Sequence, residues 1–269
     1  PPEASIVYRF ALAALFLMIY TALRRLPMRF SLSQHGFIAL QGVFLFSVNY
    51  VLVYLAEQQL PSGLVAIVFS TIIISNVLLG ALFLHNPIRP RVVLGGLCGI
   101  LGLGLVFSPE LRTLHLSGAQ TLGLLLSLTA MLSASIGNIV SARNQRAGLP
   151  VVQTNAYGMA YGALVTLVIA LARGVTFTFE PTVSYVISLL YLAIFGSVVA
   201  FGSYLTLIGR IGVDRAAYVT VVFPLIALAL STAFEGLGWN LLAVVGVALV
   251  VAGNVLALRR RRKPATVAA

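Results

Sequence analysis

Nine stretches of this chain, at 6–23, 36–56, 62–84, 92–108, 118–142, 152–172, 184–207, 216–234 and 240–258, contain no Asp, Glu, Lys or His, and Arg9 is their only charged residue. A hydrocarbon layer roughly 30 Å thick needs about 20 apolar residues in helical form to cross it. Inside that layer each backbone donor and acceptor must find a partner in protein, which leaves helices and closed barrels. Barrel strands alternate with period two over about ten residues, and stretches such as Leu241 to Val251 show no such alternation. The fold class that follows is all-α, a polytopic transmembrane helical bundle.

Composition points the same way: 60% of the 269 residues are hydrophobic and 9% are charged, against about a quarter charged in soluble domains. That excludes a conventional soluble enzyme, a disordered chain and a disulfide scaffold. The net charge of +11 would suggest nucleic acid in a soluble protein. Here the cations stand in short connectors, so the partners implied are membrane lipid and a small solute, and not nucleic acid. Arg24, Arg25, Arg29, Arg89, Arg91, Arg143, Arg146, Arg210, Arg215 and the run Arg259 to Lys263 fall in alternate connectors. The opposite set holds Arg112 and Arg173 beside Glu3, Glu57, Glu110, Glu180 and Glu235. By the positive-inside rule the first set and the C-terminus are cytoplasmic and residue 1 is external.

The chain repeats itself. Gly95 and Gly102 stand seven apart on one span, Gly246 and Gly253 repeat that spacing on another, and Tyr54-Leu55 corresponds to Tyr204-Leu205. Overlaying the halves pairs the first four spans with the last four and leaves 118–142 unmatched. The expectation is a span preceding Pro1 and two five-helix repeats of opposite orientation. Residues 1–117 form spans two to five, 118–263 form spans six to ten, and 264–269 are a cytoplasmic tail.

Motifs for chemistry are absent: no HExxH, CxxC, GxSxG or Walker loop occurs, the single Cys98 lies in an apolar run, and His35, His85 and His115 lie in or beside connectors. Nothing calls for a metal, a cofactor or an enzymatic role. Uncharged polar and aromatic residues do recur in helical register. Ser47, Tyr50 and Tyr54 fall at i, i+3, i+7 with Asn49 adjacent, and Thr154, Tyr157 and Tyr161 repeat that spacing. Ser70, Asn76, Asn138, Tyr204 and Tyr218 punctuate other spans. Ser, Thr and Asn also glue helices, and Tyr anchors interfaces. For the tyrosines near span middles the reading is a cavity wall, because a buried phenol needs a partner. Arg9, at the outer start of its span, reads as a snorkelling residue more than a substrate clamp. Gly95–Gly99, Gly158–Gly162 and Gly196–Ala200 read as close helix packing, Pro224 as a kink or hinge, and Trp239 as an interfacial anchor.

Val213-Asp214-Arg215-Ala216-Ala217, Phe223-Pro224, Ser231, Phe234-Glu235-Gly236 and Gly246 through Gly253-Asn254 resemble the second repeat of EamA-type members of the drug/metabolite transporter (DMT) superfamily. Tyr8-Arg9-Phe10-Ala11, Leu82-Phe83-Leu84, Gly95, Gly102 and Ser108-Pro109-Glu110-Leu111 resemble its first repeat, while His85-Asn86 departs from the acidic residue common there. The resemblance implies ten helices in two inverted repeats, both termini cytoplasmic, and alternating access around a central cavity. The charge-free, tyrosine-lined walls are similar in character to the amino-acid exporter branch (YddG-type). The function expected is an inner-membrane exporter of neutral or zwitterionic metabolites, aromatic amino acids foremost, lined by Ser47, Asn49, Tyr50, Tyr54, Ser70, Asn76, Asn138, Tyr157, Tyr161, Tyr204 and Tyr218. The alternative is a multidrug exporter of lipophilic cations with a carboxylate on the preceding span; a non-transporting scaffold is a third reading. Oligomeric state stays open, a monomer being compatible.

Overall fold

The computed structural model describes residues 2–112, 118–179, 181–222, 225–226 and 241–258. Pro224, Ser231, Glu235, Trp239 and the terminal Arg259 to Lys263 lie outside the described residues. The long helices are α1 (Pro2–Leu23), α2 (Leu32–Glu57), α3 (Ser62–Leu84), α4 (Pro90–Val106), α5 (Gly118–Arg146), α6 (Val151–Ala172), α7 (Val183–Ile211) and α8 (Leu241–Leu258). Short helices occupy Ser108–Arg112 and Val213–Ala216, and 218–222 are helical. No strand occurs among the described residues.

Punctuation in the sequence fixes the ends. Ser31 and Gln34 form a reciprocal capping box at the start of α2, Thr182 caps α7, and Pro90 occupies the first turn of α4. Positive φ at Gly148 and Gly174 turns the chain after α5 and α6. The observed helices match the apolar runs closely and overshoot them mainly at the arginine-rich end, where α5 continues to Arg146 and α7 to Ile211. Once clear of hydrocarbon a helix needs no apolar face to continue.

The two sequence halves do not fold side by side. The most extensive helix contact, α4 on α8, and the extensive contact of α1 on α6 each join a span to its counterpart from the other half. One core packs Phe10, Ala13 and Leu17 of α1 against Phe46 of α2, Met159 of α6 and Leu205 of α7. The second gathers Ile73 of α3, Val92 and Leu103 of α4, Tyr218, Val221 and Val250 of α8.

The glycine spacing explains the α4–α8 contact. A Cβ on Gly95 would sit 2.5 Å from the Gly253 carbonyl, and one on Gly253 would sit 2.5 Å from that of Gly95. Gly102 and Gly246 are related by the same reciprocal 2.5 Å distances. The order is antiparallel and isologous, each helix offering the other the same pair of residues. Repetition and packing are thus one fact: the glycines recur because each set receives the other's backbone. Gly158 and Gly162 likewise pack α6 against Gly42 and Phe46 of α2.

Candidate functional site

α2 and α7 share a feature that their composition conceals: each widens to a π-helical turn near its middle, at Val43–Val48 and at Ile194–Val199. A π turn shifts the hydrogen-bond register by one residue and leaves carbonyls for other donors. In α2 the Phe44 carbonyl accepts from the Ser133 hydroxyl of α5 at 2.9 Å. In α7 the Gly196 carbonyl accepts from Nη2 of Arg9 at 2.8 Å, and Ser197 Oγ accepts from Arg9 Nε at 2.8 Å. The Ser197 hydroxyl proton points to the Leu192 carbonyl, 3.1 Å away, so the lone pairs of Oγ face the guanidinium.

Arg9 therefore does not snorkel. Its guanidinium turns inward across α1 onto α7, within 3.4 Å of the Tyr50 hydroxyl and 5.0 Å of that ring's centroid. Gly196, expected to pack a helix, instead makes room for this group: a Cβ there would meet Arg9 Nη2 at 3.1 Å. Around the cation stands a continuous set of rings from three helices, with Phe10 against Tyr50 at 4.9 Å, Phe10 against Phe46 at 5.3 Å and Phe46 against Phe201 at 4.9 Å. Ser197, Phe201 and Tyr204 follow at i, i+4 and i+7 on one face of α7.

That face leads toward the arginine-rich end, where Tyr204 meets a second polar group. Asn138 donates to the Tyr204 hydroxyl at 3.0 Å, and Ser135 donates to Asn76 Oδ1 at 2.7 Å. Asn76 in turn donates to the Val213 carbonyl at 3.3 Å. Asn76, Ser135 and Asn138 are all buried, so α3, α5 and α7 are laced together by neutral groups. Beyond them a cavity of about 560 Å³ opens between α3, α5, α7 and the Gly212–Asp214 turn, with Arg89, Arg146, Arg210 and Asp214 in its wall. Arg89 pairs with Asp214 at 3.4 Å. At the opposite end Glu3 of α1 pairs with Arg173 at 2.5 Å.

Of the residues singled out in the sequence, Tyr50, Asn76, Asn138 and Tyr204 lie along this route, and Tyr54 packs on the same core. Ser47 is buried beside it, 2.8 Å from the Thr166 hydroxyl, and buried Asn49 has an Oδ1 without a partner among the described residues. Ser70 turns back to its own helix, donating to the Ile67 carbonyl at 2.6 Å. Tyr157 and Tyr161 stand apart: they stack on one another and against His35 and Phe30, with hydroxyls on the Met28 carbonyl and His35 Nδ1. They share a helix face as expected, but that face meets the α1–α2 connector and the start of α2. Tyr218 is a core residue, bonded to the Val92 carbonyl beneath Gly95 and Gly96. Unforeseen is a buried amide triad, Gln41, Asn144 and Asn155, joining α2, α5 and α6. Gln41, alone in an apolar run, was the available signal.

Six helices long and apolar enough to cross a bilayer, packed with shorter apolar helices about a polar and aromatic seam, define an all-α polytopic membrane protein. Comparison with known proteins makes the assignment specific. The chain belongs to the EamA-like transporter family, whose sequence pattern matches residues 1–108 and 121–259. It is 29% identical over 269 residues to the Escherichia coli K12 protein named uncharacterized inner membrane transporter YedA, covering 95% of this chain and 83% of that one. It is 26% identical over 274 residues to protein PagO of Salmonella typhimurium LT2, covering 99% and 86%. A protein of that strain named as a probable amino-acid metabolite efflux pump is 24% identical over 272 residues, covering 97% and 88%. A crystal structure shares the fold at a TM-score of 0.80 and 17% identity, over 96% of this chain and 87% of the other.

Proposed function

We propose that this protein exports small neutral or zwitterionic metabolites, aromatic and other neutral amino acids foremost, across the inner membrane by alternating access. The observation that carries the reading is the seam between α2 and α7, where Tyr50, Phe201 and Tyr204 follow one another beside Asn138. Rings take up an apolar side chain, and amide and hydroxyl groups replace the water around a polar head. No Asp or Glu occurs in the nine apolar runs, so the seam has no fixed carboxylate of its own to pair with a cationic drug. Relatives named as amino-acid metabolite efflux pumps and as an inner membrane transporter favour the same direction.

Two inverted repeats, 1–117 and 118–263, rock about the α4–α8 glycine contact, and the arginine-rich end, with the C-terminus, faces the cytoplasm. The Asn76, Ser135, Asn138 and Tyr204 group closes that end, and the Arg89, Arg146 and Arg210 cavity is the vestibule beyond it. The test is uptake of a labelled amino-acid panel into liposomes holding the purified chain. Saturable uptake of phenylalanine above that of lipophilic cations is expected; uptake of cations alone would overturn the reading.

A further inference from the structure

We infer that Arg9 is a substrate-binding residue that anchors a carboxylate, so that the cargo is defined by a carboxylate attached to an apolar or aromatic body. The inference deepens the proposed function and rests on it for the direction of transport, but the binding site stands on its own geometry.

A guanidinium on a membrane span is costly and is held where it serves something. The partners of Arg9 are all neutral: Ser197 Oγ, the Gly196 carbonyl and the Tyr50 hydroxyl. The ion pairs among the described residues are Arg89–Asp214 and Arg173–Glu3, so the charge of Arg9 is uncompensated there. The protein holds the Nε–Nη2 edge and spends none of its own acceptors on Nη1 among the described residues. A guanidinium oriented by neutral acceptors, with an amino group left over, is prepared for an anion, and a planar carboxylate is its natural complement. The orientation is built by three separate features. The π turn supplies the Gly196 carbonyl, the missing side chain of Gly196 supplies the space, and the bond from Ser197 to Leu192 aims the serine lone pairs.

The surroundings specify the rest of the ligand. The rings of Tyr50 and Phe10 lie 5.0 and 5.4 Å from the guanidinium, and Phe46 and the half-buried Phe201 continue the set. An apolar or aromatic body attached to the carboxylate would lie against these rings. An ammonium group finds only neutral oxygens within reach, so it is tolerated and not required. A lipophilic cation meets a like charge where Arg9 lies on α7, which argues against the multidrug alternative.

The experiment uses the full chain in liposomes, with labelled phenylalanine as cargo and two competitors, 3-phenylpropionate, which keeps only the carboxylate, and phenethylamine, which keeps only the ammonium. The expected result is inhibition by 3-phenylpropionate at concentrations at least about tenfold below those needed for phenethylamine. Arg9→Gln is expected to raise the half-saturation concentration for phenylalanine about 30-fold, the scale of one lost charge-assisted hydrogen-bond set, and to abolish the preference between competitors. Arg9→Lys is expected to recover part of both, and Gly196→Ala to weaken both several-fold by displacing the guanidinium. Equal inhibition by the two competitors in the unaltered protein overturns the inference without needing any variant, as does an Arg9→Gln protein with unchanged affinity and preference. Should phenylalanine not be carried at all, the export reading fails separately, and binding of 3-phenylpropionate to the purified protein decides the site. Binding to the unaltered protein lost in Arg9→Gln supports it, and no binding overturns it.

Discussion

The halves of this molecule meet in two very different ways. At α4 and α8 they meet backbone to backbone, through Gly95, Gly102, Gly246 and Gly253, with Val250 filling the contact and no water-binding group needed. At α2 and α7 they meet through rings and hydroxyls, on helices that both depart from regular geometry at their centres. The first contact has one arrangement, since carbonyls 2.5 Å from a neighbour's would-be Cβ allow no sliding. The second is made of side chains with alternative rotamers and neutral partners, which can be exchanged for a ligand's atoms. A transporter needs both, a fixed bearing and an exchangeable lining. Within the lining the halves diverge again. A neutral serine satisfies the turn in α2, and an arginine reaches the turn in α7.

The largest effect is expected at the bearing. Gly102→Val places two methyl groups where the Gly246 carbonyl and Val250 already stand. Overpacking against backbone costs about 3 kcal/mol or more, so the melting temperature should fall by about 10 °C, or no monodisperse protein should be recovered. A variant that melts normally by thermal-shift fluorimetry would remove the distinction between the two contacts. Next comes the lining. Tyr50→Ala should reduce phenylalanine transport efficiency about tenfold, which corresponds to 1.4 kcal/mol, with the melting temperature lowered by only a few degrees. Flux equal to the unaltered protein's would show that the seam is mere packing.

Smaller again is Ser133→Ala, which strips the Phe44 carbonyl of its side-chain donor. An unmet buried acceptor costs about 1–3 kcal/mol, so stability should drop measurably while the half-saturation concentration for substrate stays put. A changed substrate affinity would mean that both π turns, and not only that of α7, contact the cargo. The smallest effect is expected for Tyr157→Phe, whose hydroxyl meets the Met28 carbonyl in a cluster away from the seam. Transport kinetics should be unaltered, and a loss of affinity would return the α6 tyrosines to the substrate path.

Much of this was legible from residue order. Charges and prolines marked the spans, and the seven-residue glycine spacing marked the surface on which α4 and α8 pack. What the sequence could not carry was direction. Arg9 has a stem long enough to reach the interface or to cross to α7, and only the space left by Gly196 decides between them. Thr154, Tyr157 and Tyr161 had to share a face, but periodicity does not say which neighbour a face meets. The π turns leave no mark in composition, because Val43–Val48 and Ile194–Val199 read as ordinary apolar helix. What marks them is tertiary: the Phe44 and Gly196 carbonyls meet donors from α5 and α1 that a single span does not contain.

The most direct test compares the two contacts in one protein. With Cys98 replaced by serine, single cysteines are placed at Phe201 in the lining and at Val250 in the bearing, and the rate of reaction with a water-soluble thiol reagent is measured with and without saturating phenylalanine. The cysteine at 201 is expected to react, slowed at least about fivefold by substrate, while the cysteine at 250, at a position only 1% exposed, stays inert. A lining cysteine as inert as the bearing one, or one whose reaction substrate leaves unchanged, would refute the division between a fixed bearing and an exchangeable lining.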